Sequence, residues 1–405
     1  YNQAIKIEPN NADLYNNRGS ILLELKKFEE ALQDYNKAIK LKPDYAEVYF
    51  NLGNVLKELN RTEESIIRYN YAIKIKPNYV EAYNNLGNVL KELNRTEEAV
   101  KCYKKIITIN PNFDFLLGTL IHSKFILCDW KFIIKDLRKL DDQINNENKS
   151  TPPFPTLAFY ESPKIQKKVS EIWVKEKFAS ANILKSIQKK PLNKKIRIGY
   201  YSADFHDHVM SYLLVNLFEL HDKSTFEVFG FSFGPEKNDE IRQRIFNAFD
   251  KFINVKFKSD SEIARLSRDL NIDIAIDLMC FTQHNRFGIF VEKCAPIQIN
   301  FLGYPGTSGS KCIDYILADK IIIPEKFKKY YSEKIIYMPD SYKLDHPTRK
   351  ISDKIFTREE LSLPKNGFVF CCFNKTYKIT PNVFGIWMKI LKQVKGGVLW
   401  LLEDN

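Results

Sequence analysis

Through residues 1–115, apolar and small side chains return in register every 34 positions. Tyr15, Tyr49 and Tyr83 are each followed by a glycine (Gly19, Gly53, Gly87) and then a leucine (Leu22, Leu56, Leu90). A second set follows, with Ala31, Ser65 and Ala99, then Tyr35, Tyr69 and Tyr103, then Ala38, Ala72 and Ile106. Spacings of three, four and seven put such residues on one helical face. Pro9, Pro43, Pro77 and Pro111 close each unit, because proline cannot continue a helix. The pattern predicts paired amphipathic helices, with small residues where the helices approach and tyrosines filling the space between units.

A helical pair repeating at this period is the tetratricopeptide arrangement, a solenoid whose units bury their apolar faces against their neighbours. Two polar positions repeat as well: Asn17, Asn51 and Asn85, then Ser20, Asn54 and Asn88. They share a helical face away from the packing positions. Such a row of amides could bond an extended peptide backbone, or it could be a solvated face. After residue 115 the register is lost. Residues 116–140 read as one amphipathic helix, 145–155 as a polar, proline-rich linker, and 165–189 as helix again. His122 falls on an apolar helical segment and is expected to be structural.

Beyond residue 190 the pattern becomes short apolar runs alternating with helical stretches. Strands are predicted at 195–201, 226–233, 252–255, 272–278 and 297–301, and helices at 209–221, 239–249 and 261–270. Such alternation implies a largely parallel sheet with right-handed crossovers. Polar residues just after the strands ending near 201, 278 and 301 would then gather along one edge and form a cleft. The stretch 367–381 predicts a buried strand, a polar loop with two lysines and the start of a helix, with another strand at 398–402.

The 405 residues are 44% hydrophobic and 28% charged, as in globular proteins of several domains. No stretch approaches the roughly 18 uninterrupted apolar residues of a membrane span. The net charge of +12 raises nucleic acid as a partner. The lysines are spread along the whole chain, however, and no RNA-binding aromatic motif or basic recognition helix occurs, so solvated faces account for the charge. Seven cysteines form no C-x-x-C pair and no zinc spacing. They suit reduced thiols in the cytoplasm. A chain running from Tyr1 to Asn405 is expected to be part of a longer protein.

Candidate chemistry falls in three loops. Gly303, Pro305, Gly306 and Gly309 break the strand that ends near 301, and glycine lets backbone N–H groups approach a ligand closely. At the carboxyl end of a strand in an α/β domain, this is a ligand position; elsewhere it would be a surface turn. His208 stands at a helix start, which disfavours an imidazolium. A neutral ring there could accept a hydroxyl proton or orient the hydroxyl. His206 and His208 could pair on a metal, but no third ligand stands near, and no metal is expected. Lys375 and Lys378 lie in a strand-to-helix loop, where an ammonium can neutralise phosphate or remain simply solvated.

Taken together, the chain resembles the O-linked N-acetylglucosamine transferase family over essentially its whole length. The motifs that carry the likeness are Ser-Ala-Asp-Phe-x-x-His at 202–208, Ala-Pro-Ile-Gln at 295–298, Leu-Gly-Tyr-Pro-Gly-Thr-Ser-Gly at 302–309, and Cys-Phe-Asn-x-x-Tyr-Lys-Ile at 372–379. Tyr331-Ser-Glu-Lys334 before Met338-Pro339 fits too. The resemblance implies a tetratricopeptide solenoid over 1–115, a helical connector over 116–190, and a first Rossmann-like catalytic domain over 191–345. A linker and the truncated start of a second such domain would occupy 346–405, in the GT-B arrangement.

It further implies an inverting, metal-independent transfer of N-acetylglucosamine from UDP-GlcNAc, a substrate and not a cofactor, to Ser or Thr of proteins bound along the repeats. His208 matches the active-site histidine and Lys378 the lysine that meets the diphosphate. Leu302, Gly303, Tyr304 and Pro305 match the loop on the sugar, with Asn374, Lys375 and Tyr377 also on the substrate side. Asn17, Asn51, Asn54, Asn85 and Asn88 match the peptide groove. The chain could also form a homo-oligomer. Lys375 stands where the family usually has Gln or Asn, and Cys280-Phe281-Thr282 replaces Gly-Tyr-Thr. About 27 residues separate Pro339 from Gly367, the compact bacterial pattern. The alternatives are a GDP-fucose-dependent protein O-fucosyltransferase and a catalytically inactive repeat scaffold. Residues 1–405 alone are expected to be inactive, for want of most of the donor half.

Overall fold

The computed structural model describes residues 1–179, 184, 187, 194–344 and 352–403. The chain divides into two compact units, Tyr1–Asp142 with Pro364–Asn405, and Gln143–Leu363. No helix among the described residues is long and apolar enough to cross a membrane.

In the first unit the helices Ala12–Glu24, Phe28–Leu41, Ala46–Glu58, Thr62–Ile75, Val80–Glu92 and Thr96–Ile109 form successive antiparallel pairs, as the period predicts. The chain reverses within each pair at a left-handed residue: Lys26, Asn60 or Asn94. The repeating glycines have a specific job. A Cβ on Gly19, Gly53 or Gly87 would come within 2.8, 2.6 or 2.6 Å of the ring of Tyr35, Tyr69 or Tyr103. Those three tyrosines are fully buried, so each glycine makes room for the aromatic that fills its own unit.

The single helix expected over 116–140 is two helices, Leu116–Ile126 and Ile133–Asn145. Between them Cys128 and Phe132 take positive φ (51° and 60°), which no continuous helix allows. Lys124 closes the break, its buried ammonium donating to the Lys131 carbonyl and the Asp136 carboxylate, both at 2.7 Å. The first helix is buried almost all round and has no amphipathic stripe.

The second unit holds a seven-stranded, all-parallel sheet: β1 (Ile196–Ser202), β2 (Phe226–Ser232), β3 (Lys251–Asn254), β4 (Ile274–Asp277), β5 (Ile297–Phe301), β6 (Tyr315–Ala318) and β7 (Lys334–Tyr337). Strand order is β3-β2-β1-β4-β5-β6-β7, so the topological switch falls between β1 and β4, where doubly wound sheets bind ligands. β6 and β7 are additions to the predicted strands; each has only four residues. Alternate residues of β1 and β2 enter different cores: Tyr201, Phe229 and Phe231 on one face, Ile198, Tyr200 and Val228 on the other.

The proline-rich stretch 145–155 is exposed only over 145–148; the rest is not an open linker. Ser150, Thr151, Pro153 and Pro155 are buried, and helix Pro153–Phe159 starts there, proline's fixed φ suiting a first turn. The next helix is Pro163–Lys177; most of the remainder of the predicted 165–189 helix lies outside the described residues.

The first unit also contains β8 (Val369–Cys372) and β9 (Val398–Leu401), which pair in parallel and are joined through helix Pro381–Gln393. The strand expected to be buried at 369–372 is half-buried, with Cys371 exposed, since β8 pairs with β9 alone among the described residues. Four cysteines are core thiols as expected (Cys102, Cys280, Cys294, Cys312), whereas Cys128 and Cys371 are exposed.

Candidate active site

The loop after β1 is fixed at both ends. The Ser202 hydroxyl accepts the Asp204 N–H at 2.9 Å, and Phe205 is buried among Phe218, Phe249 and Phe252. Arg242 donates to the Phe205 carbonyl at 2.7 Å. His208 then caps helix Val209–Glu219: its backbone is extended, and its Nδ1 accepts the Met210 N–H at 3.3 Å. The cap is thus the imidazole itself, not Asp204 or Asp207. A nitrogen that accepts carries no proton, so the neutral ring holds its hydrogen on Nε2. Asp204 Oδ2 stands 3.5 Å from the same Nδ1. Burial pushes the Asp204 carboxyl above its ordinary range, against the opposing pull of His208, His206 and His284. Nothing in the sequence had singled out His284 as part of this group. His346 lies outside the described residues.

Beside the switch point are the ends of β4 and, next to it, β5, with Asp277 opposite Asn300. Asp277 is buried, and its Oδ1 accepts the N–H groups of Met279 and Cys280 at 2.9 and 3.0 Å. Its Oδ2 has no hydrogen-bond partner among the described residues, and burial pushes the carboxyl up to about 6. Cys280 has φ 47°, a conformation that favours glycine. The departure from Gly at this position therefore carries a backbone cost, and the fully buried thiol lines no open wall.

Gly303 is obligatory, because a Cβ there would lie 2.0 Å from the Leu278 carbonyl oxygen. The glycine loop therefore packs backbone against backbone on the end of β4. Tyr304 points inward, fully buried with its ring 5.4 Å from Phe281, and Leu302 is buried as well. Both anchor the loop; of its four residues expected on the sugar, Gly303 and Pro305 keep surface. The far end is held by Glu333, just before β7. Its carboxylate accepts the Thr307 hydroxyl at 2.7 Å, the Ser308 N–H at 2.6 Å and the Ser308 hydroxyl. Tyr331 donates to the Pro305 carbonyl at 3.2 Å. The motif at 331–334 marked the segment in the sequence, but not this clamp.

In the first unit, the lysine loop is a 3₁₀ turn, Thr376–Lys378, with Lys375 at its start and the Lys378 N–H donating to the Lys375 carbonyl at 3.0 Å. Asn374, Lys375 and Lys378 are exposed, and Tyr377 is half-buried. Thr380 caps the following helix through the Val383 N–H. The repeating amides are not clear of the packing residues. Asn54 Oδ1 accepts from Tyr69 and from Asn85, both at 2.8 Å, and Asn88 Oδ1 accepts from Tyr103 at 2.9 Å. Asn51 donates to Asn16 at 3.1 Å, and Asn17 is exposed. No group of three or more metal-binding side chains occurs among the described residues.

Residues 166–353 and 347–404 match the model of glycosyl transferase family 41, more than half of the chain. The chain belongs to glycosyl transferase family 41. Tetratricopeptide repeat models match 1–33, 19–60, 53–94 and 80–113. Among relatives, the chain is 30% identical over 308 residues to a probable UDP-N-acetylglucosamine–peptide N-acetylglucosaminyltransferase, SEC, of Arabidopsis thaliana, covering 70% of this chain and 31% of that protein. It is 28% identical to the UDP-N-acetylglucosamine–peptide N-acetylglucosaminyltransferase of Caenorhabditis elegans, covering 69% and 35%. The chain thus spans about a third of the length of these relatives. In fold it resembles a Thermobaculum terrenum O-GlcNAc transferase variant, with TM-score 0.62 and 22% identity over 96% of this chain and 68% of that one.

Proposed function

We propose that this family 41 protein transfers N-acetylglucosamine from UDP-GlcNAc to Ser or Thr hydroxyls of protein acceptors, with inversion and without a metal. The observation that carries the reading is the family match over 166–404, joined to relatives named as UDP-N-acetylglucosamine–peptide transferases. The acceptor oxygen bonds to the anomeric carbon as the bond to the β-phosphate oxygen breaks; UDP leaves with the electron pair, and the hydroxyl proton passes to the departing diphosphate.

In this reading the Lys378 ammonium neutralises charge developing on the diphosphate, the task a metal performs elsewhere. His208 presents Nε2–H as a donor, since its Nδ1 is taken by the Met210 N–H. It orients a substrate oxygen and does not remove the hydroxyl proton. Gly303 and Pro305 offer the surface on which the sugar rests. The repeats bind the acceptor along their row of amides, whose carbonyl oxygens are already oriented by Tyr69 and Tyr103.

The test is thermal unfolding of the full protein with UDP or GDP, followed by transfer of labelled sugar to a protein acceptor. Protection by UDP and transfer from UDP-GlcNAc are expected. Protection by GDP alone would move the reading to a GDP-sugar donor, and no transfer from any nucleotide sugar would reduce it to a binding scaffold.

A further inference from the structure

A three-residue 3₁₀ turn has little to hold it in one shape, because its hydrogen bonds are poorly aligned. The turn that carries Lys378 has external support within its own unit. Thr376 Oγ1 donates to the carbonyl of Ile126 at 2.6 Å. Ile126 ends its helix, where carbonyls have no intrahelical donor and must find one elsewhere. The next residue, Tyr377, lays its ring 5.0 Å from that of His122, one helical turn earlier. Further along, Phe384 packs 5.5 Å from Trp130. Thr376, Tyr377 and Phe384 therefore all meet one short segment, between His122 and Trp130.

His122 is buried, and burial beside Lys91 pulls its imidazolium down to about 3, so the ring under Tyr377 is neutral at any working pH. Helix Leu116–Ile126 is itself seated on the repeats: Leu116 and Leu120 share a core with Tyr103 and Ile106 of the last helical pair. Lys378, the residue after Tyr377, is left exposed.

We propose that His122 and Thr376 are positioning residues that hold the lysine turn on helix Leu116–Ile126, so that the last repeat sets the pose in which Lys378 meets a nucleoside diphosphate. The proposal rests on the functional reading above for the identity of the ligand, but not for the anchor itself. Thr376→Val keeps the shape and removes the hydroxyl donor; Thr376→Ser restores it. His122→Phe keeps a ring under Tyr377, and His122→Ala removes it.

In the full protein, hydrogen–deuterium exchange at the Lys378 amide is expected to quicken about five- to tenfold in Thr376→Val and His122→Ala, and to stay near wild type in Thr376→Ser and His122→Phe. Steady-state kinetics should show lower kcat or higher donor KM in the first pair, with acceptor KM unchanged. Should His122→Ala fail to fold, Thr376→Val against Thr376→Ser decides alone. Exchange within twofold of wild type in Thr376→Val overturns the anchor. Faster exchange with unaltered kcat and donor KM overturns its role in catalysis. A wild type that transfers no sugar overturns the functional reading instead, while the exchange result still decides the anchor.

Discussion

A buried carboxylate is tolerated only when its oxygens are filled, and Glu333 fills them with two hydroxyls and a backbone N–H of the glycine loop. Glu333→Ala would leave those donors buried and unpaired. It is expected to cost about 3 kcal/mol in urea or thermal unfolding, with Glu333→Gln costing less. A loss below about 0.5 kcal/mol for the alanine would show that the loop stands without the clamp. Asp277 is the opposite case, a buried carboxyl with one oxygen unpaired among the described residues. Its folded-state value of about 6 lies above its ordinary 3.8. The stability contributed by the protonated form is therefore fully present below about pH 4 and lost as pH rises through about 6. Asp277→Asn is expected to exceed wild type in stability by about 2–3 kcal/mol at pH 8 and to match it at pH 4. An offset that does not change with pH would remove Asp277 as its source.

At the scale of elements, two helical glycines serve opposite ends. Gly53 is packed under the Tyr69 ring, whereas a Cβ on Gly385 would meet nothing within 4 Å. Alanine usually favours a helix over glycine by about 1 kcal/mol. Gly385→Ala should therefore stabilise by about 0.5–1 kcal/mol. Gly53→Ala should destabilise by about 1–3 kcal/mol through overpacking that the propensity gain cannot offset. Chemical denaturation of both variants checks the pair, and equal signs would contradict the packing argument. The helix pairs were legible from the sequence because each unit contacts only its neighbours, so Gly53 and Tyr69 lie close along the chain. The break between Leu116–Ile126 and Ile133–Asn145 was not legible. It depends on two left-handed residues, Cys128 and Phe132, neither of which is a turn-former by type.

Across the whole molecule, each compact unit carries its own candidate residues, His208 and Gly303 in one and Lys378 in the other. Lys378→Ala is expected to lower kcat by about 10²–10³ while leaving circular dichroism and acceptor KM unchanged. Retention of kcat would remove the lysine from the chemistry.

The sequence by itself determined the repeats, the parallel α/β unit and the segments that hold the candidate site. Those features arise from periodicity and from turns, which are local. Only the tertiary structure decided which side chains of the candidate loops stay exposed and which hold those loops in place. Tyr304 turned inward, His208 became the cap of its own helix, and Glu333 closed on a loop 25 residues away. Thr376 found its carbonyl 250 residues back along the chain. Such pairings follow from burial, where every polar group must find a partner, and spacing along the chain does not reveal which partner it will be.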